Sequence, residues 1–533
     1  MYNNYTPLQQ RQLALQEYSN TQSTYLLVCA PARSTALKAT LTDQLHRKFR
    51  LVDRLDGELT ASVDGVLLAA EDVELMSTAL MYFAKALQDG ADYAVCNAVF
   101  GFGGATALYQ SQPLQAQNHC AVVSRTLLER CRAAAHDPEN VPELLALAAQ
   151  LCTKPTLIPQ ALLHYERGIC AEDAFSAHGK RAFIMSHVLD MTGAPIVLVS
   201  AVPVLRSMGY EVLVLGPSDG GSLHLFLDAG ASVITRSSCR NVSDAWGMAL
   251  CADFVIANTV VMARAVRALS GTAVPVLWWL HDAFAGYPHI AHQIPTQLGE
   301  NVRVYSVGSH AANAMRAVRP EFEIRPLIYG LPDYAAENFV RTDLGYNRGR
   351  PLFATVGSFE RRKGHDIFCK AIRLLPPEVR EKASFLFVGQ AADKEMMDSV
   401  RALTADYPEN VYYCKRLARD EIKSLMEQCT GLVCASRDDP MPTFVTEGLI
   451  FGKPSIVSEH TGTAGLISEG RNGFVYHNDD PQQLAVLLEH AIEHPEELAS
   501  MRTECRKMYE QYYSKEAFEQ TLRAAVEDLT AKK

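Results

Sequence analysis

From residue 181 onward, short apolar runs alternate with longer stretches of helical period. Residues 182–187, 211–215, 231–235, 253–257 and 274–280 are each short, rich in β-branched or aromatic side chains, and bounded by Gly, Asp or Pro. That pattern predicts strands. Between them, 195–207 and 260–269 carry apolar residues at helical spacing. Strand–helix alternation of this kind implies a parallel sheet covered on both faces. After a polar break at 343–350 (DLGYNRGR), which predicts an interdomain linker, the rhythm resumes. Strands are expected at 352–356, 385–388, 410–413, 431–435 and 454–458. Two doubly wound α/β domains in tandem follow, with ligands expected where their strand ends face a cleft.

The first 170 residues read differently. Strands are expected at 25–30, 65–69 and 91–97, a helix at 76–88, and helical propensity runs from 125 to 151. This predicts a third, smaller α/β unit. A length of 533 residues exceeds one hydrophobic core, in keeping with several domains. No internal repeat or low-complexity tract interrupts the chain.

Composition narrows the chemistry. Apolar residues make up 48% and charged residues 21%, an ordinary globular balance. The formal net charge of -10 excludes the broad basic footprint of a nucleic-acid binder. The 13 cysteines form no CxxC pair, and Cys429 and Cys434 read as buried thiols, so a reducing compartment is expected. The polar start, MYNNYTPLQQRQLALQEY, lacks the apolar core of a signal segment, and no apolar run reaches the ~18 residues of a membrane span. The expected location is cytoplasmic, with peripheral contact at the inner face of the membrane left open.

Two stretches carry candidate chemistry. The first is 436–458, SRDDPMPTFVTEGLIFGKPSIVS, where a strand ends in a polar loop and a helix opens near Thr443. Prolines 440 and 442 suit such a loop. The helix start offers free amides and a positive partial charge to a diphosphate, with the amides of Met441 and Thr443 and the adjoining Phe444 in line. Asp439 precedes the helix. Glu447 lies four residues after Thr443, on the same face, so two carboxylates can flank one polar ligand. Plain helix capping by Asp438 or Asp439, with Glu447 as a dipole partner, explains the same residues equally well. The second stretch is 357–364, GSFERRKG, directly after a strand. Gly357 permits close backbone approach, and Arg361, Arg362 and Lys363 can neutralise a diphosphate. A solvated basic loop is the alternative.

Together these stretches resemble glycosyltransferase family 4, the retaining enzymes of the GT-B fold, over about residues 181–525. The family signature is an acid, seven residues, a glutamate, then G-x-P; here these are Asp439, Glu447 and Gly452-Lys453-Pro454. The resemblance implies that Glu447 binds the nucleotide ribose and that Asp439 meets donor-sugar hydroxyls. It implies that Lys363 holds the phosphates and that 458–470 closes over the nucleotide. Two departures stand out. Asp replaces the commoner Glu at 439, and Pro442 replaces a glycine, removing one amide donor. DPMP recurs as a variant within the family and marks a subgroup.

Upstream, SHVLDMTGAP (186–195) resembles the family loop that approaches donor and acceptor, with Gly193 and Ala194 at the start of a helix expected from Pro195. His187 reads equally as a lining residue or a satisfied strand-end histidine. In VLWWLHDAF (276–284), Trp278 and Trp279 are expected in the core, and the resemblance places His281 near the reacting sugar carbon. Asn258 and Thr259 are cleft-edge polar candidates, and Asp282 is the one acid near His281. The implied chemistry is front-face attack by an acceptor hydroxyl, with the departing phosphate as base. His281, Asp439 and Lys363 form the catalytic set, with no metal and no other cofactor. The donor is expected to be a UDP- or GDP-sugar, and the acceptor a glycan or a lipid-linked one.

The first 170 residues resemble, more faintly, a family 2 GT-A glycosyltransferase through 57–80, ADYAVCNAVF, NHCAVVSRTLLER and TLIPQALLHY. Where that family has its metal-binding acids, this chain reads Ala69-Ala70-Glu71-Asp72. The expectation is a degenerate GT-A-like domain without transferase activity, serving acceptor binding or oligomer assembly. GFGG at 101–104 is not a dinucleotide fingerprint. The alternatives carried forward are a bifunctional transferase with both units active and a non-catalytic sugar-nucleotide-binding scaffold. Nothing resembles a P-loop, a catalytic triad or a zinc site.

Overall fold

The computed structural model describes residues 23–531 except 31, 33, 43, 45, 56–61, 71–72, 77, 103–105, 111–119, 166–178, 219 and 237–247. Glu71 and Asp72, at the place of the family 2 metal acids, therefore lie outside the described residues, as do the polar start and Gly103-Gly104. The chain divides into two compact units, Met1–Ile256 and Ala257–Lys533.

In the first unit, Leu26–Cys29 pairs in parallel with Phe49–Val52 and Gly65–Ala69. Cys120–Ser124 runs antiparallel to Gly65–Ala69. Tyr93–Phe102 pairs with Cys120–Ser124, Thr106–Gln110 and Pro155–Tyr165. Leu27, Val66, Val123, Leu128 and Leu144 close a core beneath these strands. The helical tract expected over 125–151 is two helices, Arg125–Ala134 and Val141–Leu151. Pro138 and Asn140 break it: Asn140 caps the second helix by accepting the Glu143 amide at 3.0 Å. Lys180–Met185, Tyr210–Gly216 and Ser232–Arg236 form a parallel set. Ser232–Arg236 also pairs antiparallel with Thr106–Gln110, so one sheet runs through the boundary expected near residue 170.

The second unit holds two sets of parallel strands. Val276–Leu280, Val302–Ser306 and Ile324–Pro326 form the first. Trp278 and Trp279 are fully buried in it, and their indole N–H groups donate to the carbonyls of Thr259 (2.8 Å) and Leu327 (2.9 Å). The second set is a six-stranded sheet. Its order is Val411–Cys414, Ser384–Val388, Leu352–Val356, Gly431–Cys434, Ser455–Ser458 and Gly473–Tyr476. Numbered along the chain, that order is 3-2-1-4-5-6, the doubly wound arrangement. Its direction reverses between Leu352–Val356 and Gly431–Cys434, which pair in parallel. Cys429 and Cys434 are buried free thiols, each pushed up to about 11 by burial and so inert at neutral pH.

The polar break at 343–350 is the tail of a strap fastened along helix Arg419–Gln428. Lys423 pairs with Glu337 at 2.8 Å, the Thr342 amide donates to Ser424 Oγ, and the Leu344 amide donates to Gln428 Oε1. The helix Lys515–Thr530 returns to the first strand set, where Phe518 stacks on Trp279 with centroids 5.8 Å apart. Among the described residues no helix is long and apolar enough to cross a membrane.

Candidate active site

The two stretches singled out in the sequence leave the two strands that flank the reversal of the six-stranded sheet. The loop after Leu352–Val356 ends in a tight turn, Arg361–Lys363, and then Gly364 at φ 66°. A Cβ at Gly364 would sit 1.8 Å from the carbonyl oxygen of Ala435, so only glycine lets the two loops touch. The contact carries Lys363 to Asp439, with Nζ 2.6 Å from Oδ2. Arg437, which the sequence reading passed over, fastens the loops further. Its guanidinium takes both carboxylate oxygens of Asp366 at 2.8 Å, Asp479 at 2.7 Å and the carbonyl of Arg361 at 2.8 Å. Arg361 and Arg362 are exposed at the rim. Arg362 pairs with Glu360 at 2.9 Å and reaches the carbonyl of Asp438 at 3.5 Å. Gly357 donates its amide to Val388 at the start of the loop.

The neighbouring aspartates diverge. Asp439 turns into the protein, where Oδ1 accepts the Met441 amide at 3.2 Å while Oδ2 holds Lys363. Asp438 turns toward residues 284–310 and accepts three hydrogen bonds. They come from His310 Nε2 at 2.7 Å, the Ala285 amide at 2.7 Å and the Phe284 amide at 3.1 Å. Burial works to raise the Asp438 carboxyl, but those donors, His310 first, outweigh it and hold it below the usual carboxylate value. Neither aspartate side chain caps the helix that follows. That helix, Thr443–Ile450, starts from Pro442 with no side-chain cap. Its first amides, at Thr443 and Phe444, have no acceptor within the helix. Thr443 is exposed at the opening, and Phe444 is buried.

Glu447 is buried one turn on, and burial raises its carboxyl, opposed by Arg419. Arg419 Nη1 lies 3.2 Å from Glu447 Oε1, and its guanidinium covers the Tyr334 ring at 4.3 Å. Tyr329 is a second residue that sequence reasoning missed. It is buried, its hydroxyl lies 3.4 Å from Thr443 Oγ1, and burial together with Asp439 and Glu447 raises its pKa strongly. No local pattern marks it out: a tyrosine between Ile328 and Gly330, at the end of a short apolar run, reads as core.

At the ends of the neighbouring strands, His281 lies 4.7 Å from the Trp279 ring, centroid to centroid. Asp282 Oδ2 accepts the Val260 amide at 2.6 Å, and burial pushes its carboxyl up to about 6. Thr259 adopts φ 71° and ψ 166°, a conformation that β-branched residues avoid. It is held there by its amide on Trp279 and its carbonyl under Trp278. Among the described residues, several buried polar atoms have no protein partner: both amide atoms of Asn258, the Thr259 hydroxyl and the Tyr287 hydroxyl. Such groups call for a polar partner.

In the first unit, Gly193 and Ala194 open the helix Gly193–Ser207, two residues earlier than expected. The preceding turn explains this: Asp190 accepts the Thr192 amide at 3.0 Å and fixes the entry. Gly193 is exposed, with nothing within 4 Å of where its Cβ would stand. Among the described residues there is no cluster of three or more His, Cys, Asp or Glu side chains fit to hold a metal ion.

Residues 178–318 match the family model described as Glycosyl-transferase family 4, and residues 337–508 match Glycosyl transferases group 1. An "Uncharacterized glycosyltransferase MJ1178" of Methanocaldococcus jannaschii is 26% identical over 197 residues, 36% of this chain and 53% of that protein. Spore coat protein SA of Bacillus subtilis is 26% identical over 160 residues, 28% of this chain and 41% of that protein. The chain thus spans about half the length of the curated relatives it matches. Among solved structures, Anabaena Alr3699/HepE in complex with UDP superposes with a TM-score of 0.54 at 20% identity, covering 66% of this chain and 100% of that one. Sucrose-phosphate synthase from Thermosynechococcus elongatus gives 0.54 at 16% identity, with 66% and 100% covered. These likenesses show the fold.

Proposed function

We propose that this chain, whose residues 178–508 carry the paired domains of a GT-B glycosyltransferase, moves a sugar from a nucleoside diphosphate to a hydroxyl acceptor with retention of configuration. The observation that carries the reading is the Lys363–Asp439 pair at the reversal of a 3-2-1-4-5-6 sheet, beside a helix start that no side chain caps and the buried Glu447. An open α/β sheet binds its ligand at that reversal, and lysine with helix amides is suited to phosphate oxygens. A solved structure of similar fold holds UDP-glucose, which favours a UDP-sugar as donor here.

In the reaction proposed, the bond between the sugar's anomeric carbon and the diphosphate oxygen breaks, and its electron pair leaves with the diphosphate. The acceptor oxygen bonds to the anomeric carbon on the same face, and its proton passes to the departing phosphate oxygen. Lys363, with Arg361 or Arg362 at the rim, offsets the charge that develops on that oxygen. Asp439 and the Thr443 hydroxyl meet sugar or phosphate groups, Glu447 accepts from the ribose hydroxyls, and His281 faces the sugar. No metal enters, so chelators are expected to leave turnover unchanged. The acceptor is a glycan or a lipid-linked one, met in the cytoplasm or at the inner membrane face. The unit ahead of residue 170 serves binding or assembly.

Calorimetric titration with UDP, GDP and ADP, followed by a turnover assay with the matching sugar nucleotides, tests this. Binding of one diphosphate, abolished by Glu447→Ala, is the expected result. A chain that binds none of the three is not a transferase of this kind.

A further inference from the structure

The helix that opens at Thr443 ends at Ile450, and its far end forms one wall of a separate cavity of roughly 220 Å³. Lys453, Arg502, Arg506 and Glu427 line it, and Ile450 and Phe451 make an apolar side. The charges there are not alike in their commitments. Arg506 is held by both oxygens of Asp333, at 3.1 and 2.8 Å, and by the carbonyl of Ile450. Glu427 is held by Arg341, with Nε 3.1 and 3.0 Å from its two oxygens. Among the described residues, the side chains of Lys453 and Arg502 have no hydrogen-bond or ion-pair partner. Lys453 is half-buried and Arg502 is exposed. Gly452 sits at φ 70°, and a Cβ there would lie 2.5 Å from Arg502 Cγ, so the arginine stem is laid against the turn that presents Lys453. Two uncompensated positive charges thus share one small recess. A helix C-terminus ordinarily repels an anion, but here Arg506 already satisfies the Ile450 carbonyl.

We propose that this cavity binds a phosphate monoester. The dianion is neutralised by Lys453 and Arg502, and the ester carbons rest on Ile450 and Phe451. Two positive charges match the charge of a monoester above its second ionisation, and a guanidinium beside an ammonium suits its oxygens. The site lies at the opposite end of helix Thr443–Ile450 from the diphosphate loop and shares none of that loop's residues.

Thermal unfolding of the full chain, titrated with inorganic phosphate and with a hexose 6-phosphate, tests the proposal against the same titrations of Lys453→Gln/Arg502→Gln and of Lys363→Met. Saturable stabilisation in the wild type and in Lys363→Met, with at least a tenfold weaker midpoint in the double variant, is the expected result. Flotation with phosphatidic-acid vesicles against phosphatidylcholine vesicles distinguishes a lipid headgroup from a soluble ester, and either source meets the proposal. Stabilisation lost in Lys363→Met and kept in the double variant places the phosphate in the diphosphate loop and overturns it, as does the absence of any saturable effect. Should the double variant unfold, Lys453→Gln alone carries the comparison.

Discussion

Lys363 Nζ stands 2.6 Å from Asp439 Oδ2, with the aspartate side chain only 4% exposed. Removing the cation strands a carboxylate that keeps little beyond the Met441 amide. Lys363→Met is expected to cost about 3 kcal/mol of stability and to lower turnover by about 10²- to 10³-fold. Lys363→Met/Asp439→Asn should regain most of the stability and none of the turnover. Urea unfolding and a turnover assay read the two effects, and a single variant as stable as the wild type refutes the pairing argument.

Asp438 joins the loop at 284–285 and His310 to the loop at 436–442. Its carboxyl is held below the ordinary 3.8. A depressed carboxyl contributes stability above its unfolded value and loses it as pH falls through the folded one. Asp438→Ala should therefore cost about 1.5–3 kcal/mol at pH 7, and the gap to the wild type should close below about pH 4. Denaturation curves at pH 7 and pH 3 check this; equal gaps at both count against it.

Arg419 is the cation within reach of the buried Glu447. Without it the Glu447 carboxyl rises further, and a protonated carboxyl accepts poorly from ribose hydroxyls. Arg419→Ala should raise the donor KM several-fold at pH 6, less at pH 8, and leave kcat close to wild type. A KM change independent of pH would assign Arg419 a purely steric part.

Gly364 combines φ 66° with no room for a Cβ. Gly364→Ala is expected to destabilise by at least about 2 kcal/mol and to weaken donor binding, because the two loops must part. Calorimetry of unfolding and of UDP binding both report on it.

Asp282 titrates in the opposite sense to Asp438. Its carboxyl is raised to about 6 by burial, so the stability linked to its protonation is complete below about 4 and is lost as pH rises through 6. Asp282→Asn, which keeps an acceptor for the Val260 amide, should melt above the wild type at pH 7.5 and level with it at pH 4. A variant that melts lower at both values shows that the carboxylate serves the fold.

The apolar runs made most of the second unit's strands legible, since a buried strand needs a local apolar run, but Val302–Ser306, Ile324–Pro326 and Gly473–Tyr476 were not expected. Leu352–Val356 and Gly431–Cys434 fall where the pattern put them. The glycine and the cations of the loop at 357–364 were also readable, because turns and charge runs are local signals. The order 3-2-1-4-5-6 was not, since strand neighbours are chosen by crossover packing. Nor were the partners of Asp438 and Arg437, which lie 128 residues away at His310 and 71 residues away at Asp366. A single histidine or arginine on a polar face carries no periodicity, so its role emerges only when the chain has folded back on it.

His281 rests beside Trp279, and Phe518 stacks on that same indole. On the ribosome, the strand that ends in His281 emerges long before residue 518 does. The histidine's seat is thus completed only once Phe518 has been made, and a chain halted before Lys515 would display a half-covered tryptophan. Chaperone capture of stalled chains, or loss of activity on trimming the helix Lys515–Thr530, would be the cellular mark of that arrangement.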